Sequence, residues 1–97
     1  MQAYTTLAAT FARLGALDDA GGILGWDTQT QMPDGAADTR AEQMAVLKVL
    51  SHEILTDPRT LERLDAAEGD AENLGGWERA NLREMRRAYV HAAAVPG

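Results

Sequence analysis

Tyr4, Leu7, Phe11 and Leu14, followed by Leu17, Gly21 and Leu24, recur at steps of three and four along the first quarter of the chain. A strand puts alternate residues on opposite faces, so it would scatter this set. A helix gathers it into one stripe. The spacing therefore predicts a long helix from about residue 3 to the high twenties. Gly15 and Gly21-Gly22 are its candidate bends, since glycine costs up to ~1 kcal/mol per site against alanine in a helix. Gly21 and Gly25, four apart, share a face on which a second helix can approach closely. Alanine (18 residues) and leucine (11) dominate, while β-branched and aromatic residues are few. That usage suits helices and not sheets, and the expected fold class is all-α, a helical hairpin or bundle of three to four helices.

The pattern breaks between Gln29 and Asp38. Met32-Pro33-Asp34-Gly35 is turn chemistry, because proline fixes φ and Asp-Gly supplies an acceptor and a permissive backbone. Met32-Pro33 is expected to set the angle of the hairpin, with Asp34 as N-cap of the second helix. Met44, Leu47, Leu50 and Ile54, flanked by Val46 and Val49, predict that helix to about Leu55. Thr56-Asp57-Pro58 ends it and starts a third over about 58–68, with Asp57 as N-cap and Pro58 at the first helical position. Leu61 and Leu64 are its anchors. Gly69 to Gly76 reads as an acidic, glycine-punctuated loop. A last helix is expected from about Gly76 to Ala94, where Val95-Pro96 stops it. Trp77, Met85, Ala88, Tyr89 and Ala92 fall on one side of it, and Arg79, Arg83, Arg86 and Arg87 on the other. That arginine face is either a solvated surface matched to the acidic remainder or a docking surface.

Ninety-seven residues make one small domain, and the net charge of −6 argues against a nucleic-acid or anionic-membrane partner. The absence of cysteine excludes a disulfide scaffold and any thiolate metal site. No run of 18 apolar residues is present, and Met1 to Gly15 lacks the basic start and apolar stretch of a signal peptide, so the expected compartment is the cytoplasm.

Little catalytic chemistry is legible. His52-Glu53 begins the zinc-peptidase pattern His-Glu-x-x-His, but Ile54, Leu55 and Thr56 come next and the second ligand is missing. His91, the other histidine, lies 39 residues further on, on a different predicted helix. A metal site combining the two is a distant third reading. Ser51 is the lone serine and has no triad context. The carboxylate pairs Asp18-Asp19 and Asp65/Glu68 read as solvated helix surface. On these residues no catalytic or metal-binding position is assigned, and no substrate-binding residue is identified.

The stretch Ile23-Leu24-Gly25-Trp26-Asp27-Thr28-Gln29-Thr30-Gln31-Met32-Pro33, with Arg40-Ala41-Glu42-Gln43 and Asn81-Leu82-Arg83-Glu84-Met85-Arg86-Arg87, resembles the N-terminal segment of the carboxypeptidase Taq family of metallocarboxypeptidases. The opening Tyr4-x-x-Leu7-x-x-x-Phe11-x-x-Leu14, His52-Glu53 and Ala94-Val95-Pro96 fall in step, so the resemblance spans essentially residues 1–97. It implies a single helical segment that walls or lids the groove of a larger, all-helical, cytoplasmic enzyme. Such enzymes release C-terminal residues from peptides with a divalent metal, zinc or cobalt, and are typically homodimers. Their metal sits on a His-Glu-x-x-His helix that has no counterpart here, so the chain is expected to be an inert fragment of such an enzyme, with no cofactor of its own. A free-standing helical interaction or regulatory module is the alternative. The expected partners are the rest of the parent enzyme or a second copy.

The residues assigned structural roles are Trp26, Asp27, Met32, Pro33, Arg40 and Trp77. Trp26 and Trp77 are the expected aromatic anchors, and Trp26, able to bury ~150–250 Å², is expected to pin the end of the first helix to the second or fourth. Asp27 is expected to pair with Arg40 across the turn or to cap backbone donors.

Overall fold

The computed structural model describes residues 2–30 and 37–94, with side chains described over 2–26 and 38–94. Four α-helices succeed one another: α1 (Gln2–Thr30), α2 (Ala37–Thr56), α3 (Pro58–Gly69) and α4 (Gly76–Ala94), with a 3-10 turn at Ala71–Asn73 before α4. Among the described residues there is no strand. The expected all-α class holds. The hairpin hinge at Met32 and Pro33 and the Asp34 cap lie outside the described residues.

Chain chemistry fixes the joints. Asp57 caps α3 by accepting from the Arg59 backbone N–H at 2.8 Å, and Pro58 occupies the first helical position, where its missing N–H costs nothing. The Arg59 guanidinium folds back onto the same carboxylate, Nη2 to Oδ2 at 3.0 Å. Side-chain and then backbone hydrogen bonds from Arg59 hold the Asp57 carboxyl below its ordinary value. At the other side of this joint the Thr60 hydroxyl donates to the Ile54 carbonyl at 2.9 Å, satisfying one of the carbonyls that α2 leaves without an intrahelical partner. Thr60 is thereby buried without an orphaned hydroxyl. Before α4, Glu78 reaches back to accept from the Gly75 N–H at 2.7 Å, one half of a capping box.

The charged cap makes this joint sensitive to pH. The folded-state pKa of Asp57 is depressed, so its contribution is complete above the unfolded value of 3.8 and is lost as pH falls through the lower folded-state value. Asp57→Ala should lower the melting temperature at pH 7 by roughly 4–8 °C. Repeated below pH 3, the melt should show a smaller difference between the two proteins. An equal difference at both pH values would mean that the carboxylate charge has no part in the cap.

The core is small and sits toward one end. Leu7 of α1, Leu64 and Ala67 of α3, Leu74 after the 3-10 turn, and Leu82 and Met85 of α4 are buried together, with Tyr4, Phe11 and Tyr89 packed partly against them. Leu7 and Leu64 have no exposed surface. Asn81 Nδ2 donates to the Tyr4 hydroxyl at 3.3 Å, linking α4 to α1. Outside this core, α2 lies along α1, and Gly25 is where they close up: a Cβ there would sit 3.7 Å from the Met44 methyl. Gly21, expected to share that role, faces open space.

The molecule is elongated. Its extents are 55 × 25 × 17 Å and its radius of gyration is 16.2 Å, against about 13 Å for a compact chain of this length. The far half of the α1–α2 hairpin extends beyond the core and is packed mainly on itself.

Candidate interaction surface

The four-arginine face of α4 is matched to acidic residues at one position in particular. Arg86 Nε and Nη2 grip the two oxygens of Glu68 at 2.9 and 2.6 Å, and Nη2 reaches Asp65 at 2.7 Å. These hydrogen bonds, Glu68 first and Asp65 second, raise the guanidinium pKa above its ordinary value. The carboxylates Asp65 and Glu68 thus hold α4 to α3. Arg87 pairs with Glu84 at 3.4 Å on the exposed side.

The histidines do not build a metal centre here. His52 is half-buried on α2 and lines a hollow with Phe11, Leu14, Asp18, Ser51 and Ala88, whereas His91 is exposed near the end of α4. Among the described residues, no three of His, Asp or Glu converge to hold a metal ion, and no buried side-chain nitrogen or oxygen lacks a partner.

Neither expected aromatic anchor is buried within this chain. Trp77 is 80% exposed and Trp26 63% exposed, so neither fills the core of this chain. On α4 the inward positions are Leu82 and Met85. Trp77 lies in the first turn of the helix, displaced from the buried face. Trp26 lies near the far end of α1, outside the buried cluster. Arg40 is half-buried on α2 and donates to Gln43 Oε1 at 3.1 Å. Its expected pairing with Asp27 turns on a side chain outside the described residues.

What the hairpin presents is apolar surface on more than one side. Met44, Leu47, Ile54 and Leu55 of α2 are half-buried, while Val46, Val49 and Leu50, on the other side of the same helix, are exposed. Between the helices runs an open groove of about 860 Å³, walled by Ala20, Ile23 and Leu24 of α1 and Val46 and Leu47 of α2, with Arg40 at its edge. Exposed apolar side chains thus alternate on α2 with the exposed polar Glu42, Gln43, Lys48 and Glu53. No helix among the described residues is long and apolar enough to cross a membrane.

Fold and surface together define an all-helical protein whose apolar faces outrun the core it builds for itself. The chain belongs to the carboxypeptidase Taq (M32) metallopeptidase family, whose model matches residues 6–97. It is 35% identical over 96 residues to thermostable carboxypeptidase 1 of Thermus thermophilus, covering 97% of this chain and 19% of that protein. With thermostable carboxypeptidase 1 of Pyrococcus furiosus it shares 34% identity over 90 residues, 93% of this chain and 18% of the relative. Among solved structures, metallocarboxypeptidase 1 of Trypanosoma cruzi superposes with a TM-score of 0.95 at 33% identity, covering 99% of this chain and 19% of that one. A carboxypeptidase structure from Pyrococcus furiosus superposes with a TM-score of 0.90 at 32% identity and the same coverage. The chain thus spans about a fifth of the length of the relatives it matches.

Proposed function

We propose that this chain is the N-terminal helical segment of a metal-dependent carboxypeptidase, forming a wall or lid of the groove in which C-terminal residues are released from peptides. On this reading the catalytic metal, zinc or cobalt, is held by a part of the enzyme that the chain does not include, and the chain alone is inert. The carrying observation is the exposed apolar side of α2 in a chain that superposes on one fifth of a metallocarboxypeptidase. In such an enzyme the remaining four fifths would cover Val46, Val49, Leu50 and the hairpin groove. When the chain is alone, a second copy is the proposed cover, and the cytoplasm is the proposed compartment.

The test has two parts. The DNA downstream of the last codon should continue in frame to a His-Glu-x-x-His codon run. The purified chain should release no C-terminal residue from a peptide in the presence of zinc or cobalt, and should bind zinc no more tightly than micromolar in calorimetry. A one-to-one nanomolar zinc site would instead promote a small metal-binding helical protein using His52 and His91. A stop codon shortly downstream would favour a free-standing interaction module.

A further inference from the structure

Where α3 starts, a hollow of about 280 Å³ is walled by side chains of three helices, and its character is polar. Arg13 of α1 and Arg59 and Arg63 of α3 line it, beside Asp57 and the buried Thr60. Arg59 and Arg63 are one helical turn apart and share a face. Three guanidinium groups against one carboxylate leave a local charge of +2, in a chain whose net charge is −6.

The occupancy of each polar group narrows what this hollow can take. Asp57 is spent on Arg59, through the Arg59 backbone N–H and its Nε on Oδ1 and Nη2 on Oδ2. The amides of the first turn of α3 are spent as well: the Thr60 and Leu61 N–H groups both point to the Asp57 carbonyl. The Thr60 hydroxyl has given its proton to the Ile54 carbonyl, and the Thr10 hydroxyl has given its own to the Thr6 carbonyl. The donors left over are therefore the guanidinium groups. Arg13 and Arg63 make no ion pair or side-chain hydrogen bond among the described residues.

We propose that Arg13 and Arg63, with Arg59 beside them, form a binding site for a doubly charged phosphate group. One guanidinium suffices to hold the two oxygens of a carboxylate. Two guanidiniums on different helices, neither hydrogen-bonded by its side chain among the described residues, sit in a hollow of net charge +2, with Arg63 near enough to Asp57 to act on its charge. They match an anion with two charges and at least three acceptor oxygens. The site is independent of the carboxypeptidase reading, because it uses none of the apolar faces on which that reading rests.

Inorganic phosphate is the probe, titrated at pH 7.5 and low ionic strength into the ¹⁵N-labelled 97-residue chain, with chloride at matched ionic strength and acetate in parallel. Phosphate should shift the Arg13, Arg59 and Arg63 signals saturably, and acetate and chloride should not. Arg63→Gln and Arg13→Gln should each weaken the phosphate affinity about tenfold, the loss of one charge-assisted anchor, while Arg79→Gln on α4 leaves it unchanged. Because Arg13 is exposed, Arg13→Gln keeps the comparison readable should Arg63→Gln disturb the fold. Phosphate behaving as chloride does at equal ionic strength would overturn the site. So would acetate binding as well as phosphate, or unaltered binding by the Arg13→Gln protein.

Discussion

Leu64→Ala is expected to remove the cooperative thermal transition of the chain, whereas Trp26→Ala should barely change it. Leu64 has no exposed surface and sits where α1, α3 and α4 meet around Leu7, Leu82 and Met85. Truncating a fully buried leucine loses its transfer free energy and leaves a cavity, together about 2–5 kcal/mol. A small domain has only ~5 kcal/mol to lose. Trp26 is 63% exposed, and a substitution at such a position ordinarily changes stability by less than about 0.5 kcal/mol. Urea melts followed by circular dichroism, with the chain held at the lowest workable concentration, separate the two variants. A larger loss for Trp26→Ala than for Leu64→Ala would show that the core lies in the hairpin and not where α3 and α4 meet.

Trp26 and Leu64 are both legible as apolar helix positions, and the reason they rank so differently is physical. Periodicity locates a helix and the face it will bury, because both arise from 3.6 residues per turn. The Asp57-Pro58 start of α3 is a local matter of capping and proline, and it is legible. What covers a face is not local. Leu7, on the stripe that runs to Leu24, is buried in the core, whereas Trp26, well round the helix from Leu24, is 63% exposed. The core position Leu74 is hidden for a related reason. It comes after an acidic, glycine-punctuated stretch with no periodicity, and only the 3-10 turn at Ala71–Asn73 carries it back to the core. Thr60 is hidden by its polarity, since nothing in the sequence announces that its hydroxyl will meet an orphan carbonyl of the preceding helix. The Arg86 clasp is half legible: the α4 arginines and the acidic remainder are evident, but the choice of Asp65 and Glu68 depends on how α3 docks.

The exposed apolar side of α2 leads to the second large effect. Sedimentation equilibrium of the isolated chain should give a mass that rises with concentration above the 10.5 kDa of one copy. Ile23, Trp26, Val46, Val49 and Leu50 are all exposed large apolar side chains of the hairpin, and pairing two copies is the simplest symmetric way to bury such surface. Val46→Glu combined with Leu50→Glu places two charges one turn apart in that surface. Each substitution forfeits roughly 1.5–3 kcal/mol of apolar burial, so the pair should weaken self-association by more than about 100-fold. Helix content should be unchanged, because both positions are exposed and glutamate is a good helix former. In a longer polypeptide that includes the metal-binding part, the same pair should instead lower the melting temperature, since there the glutamates would meet a cover that cannot move away. A wild-type chain that is monomeric at high concentration and melts sharply above about 65 °C, the upper end of the mesophile range, would show that these helices need no cover. The proposal that they belong against a larger enzyme would then lose its physical support.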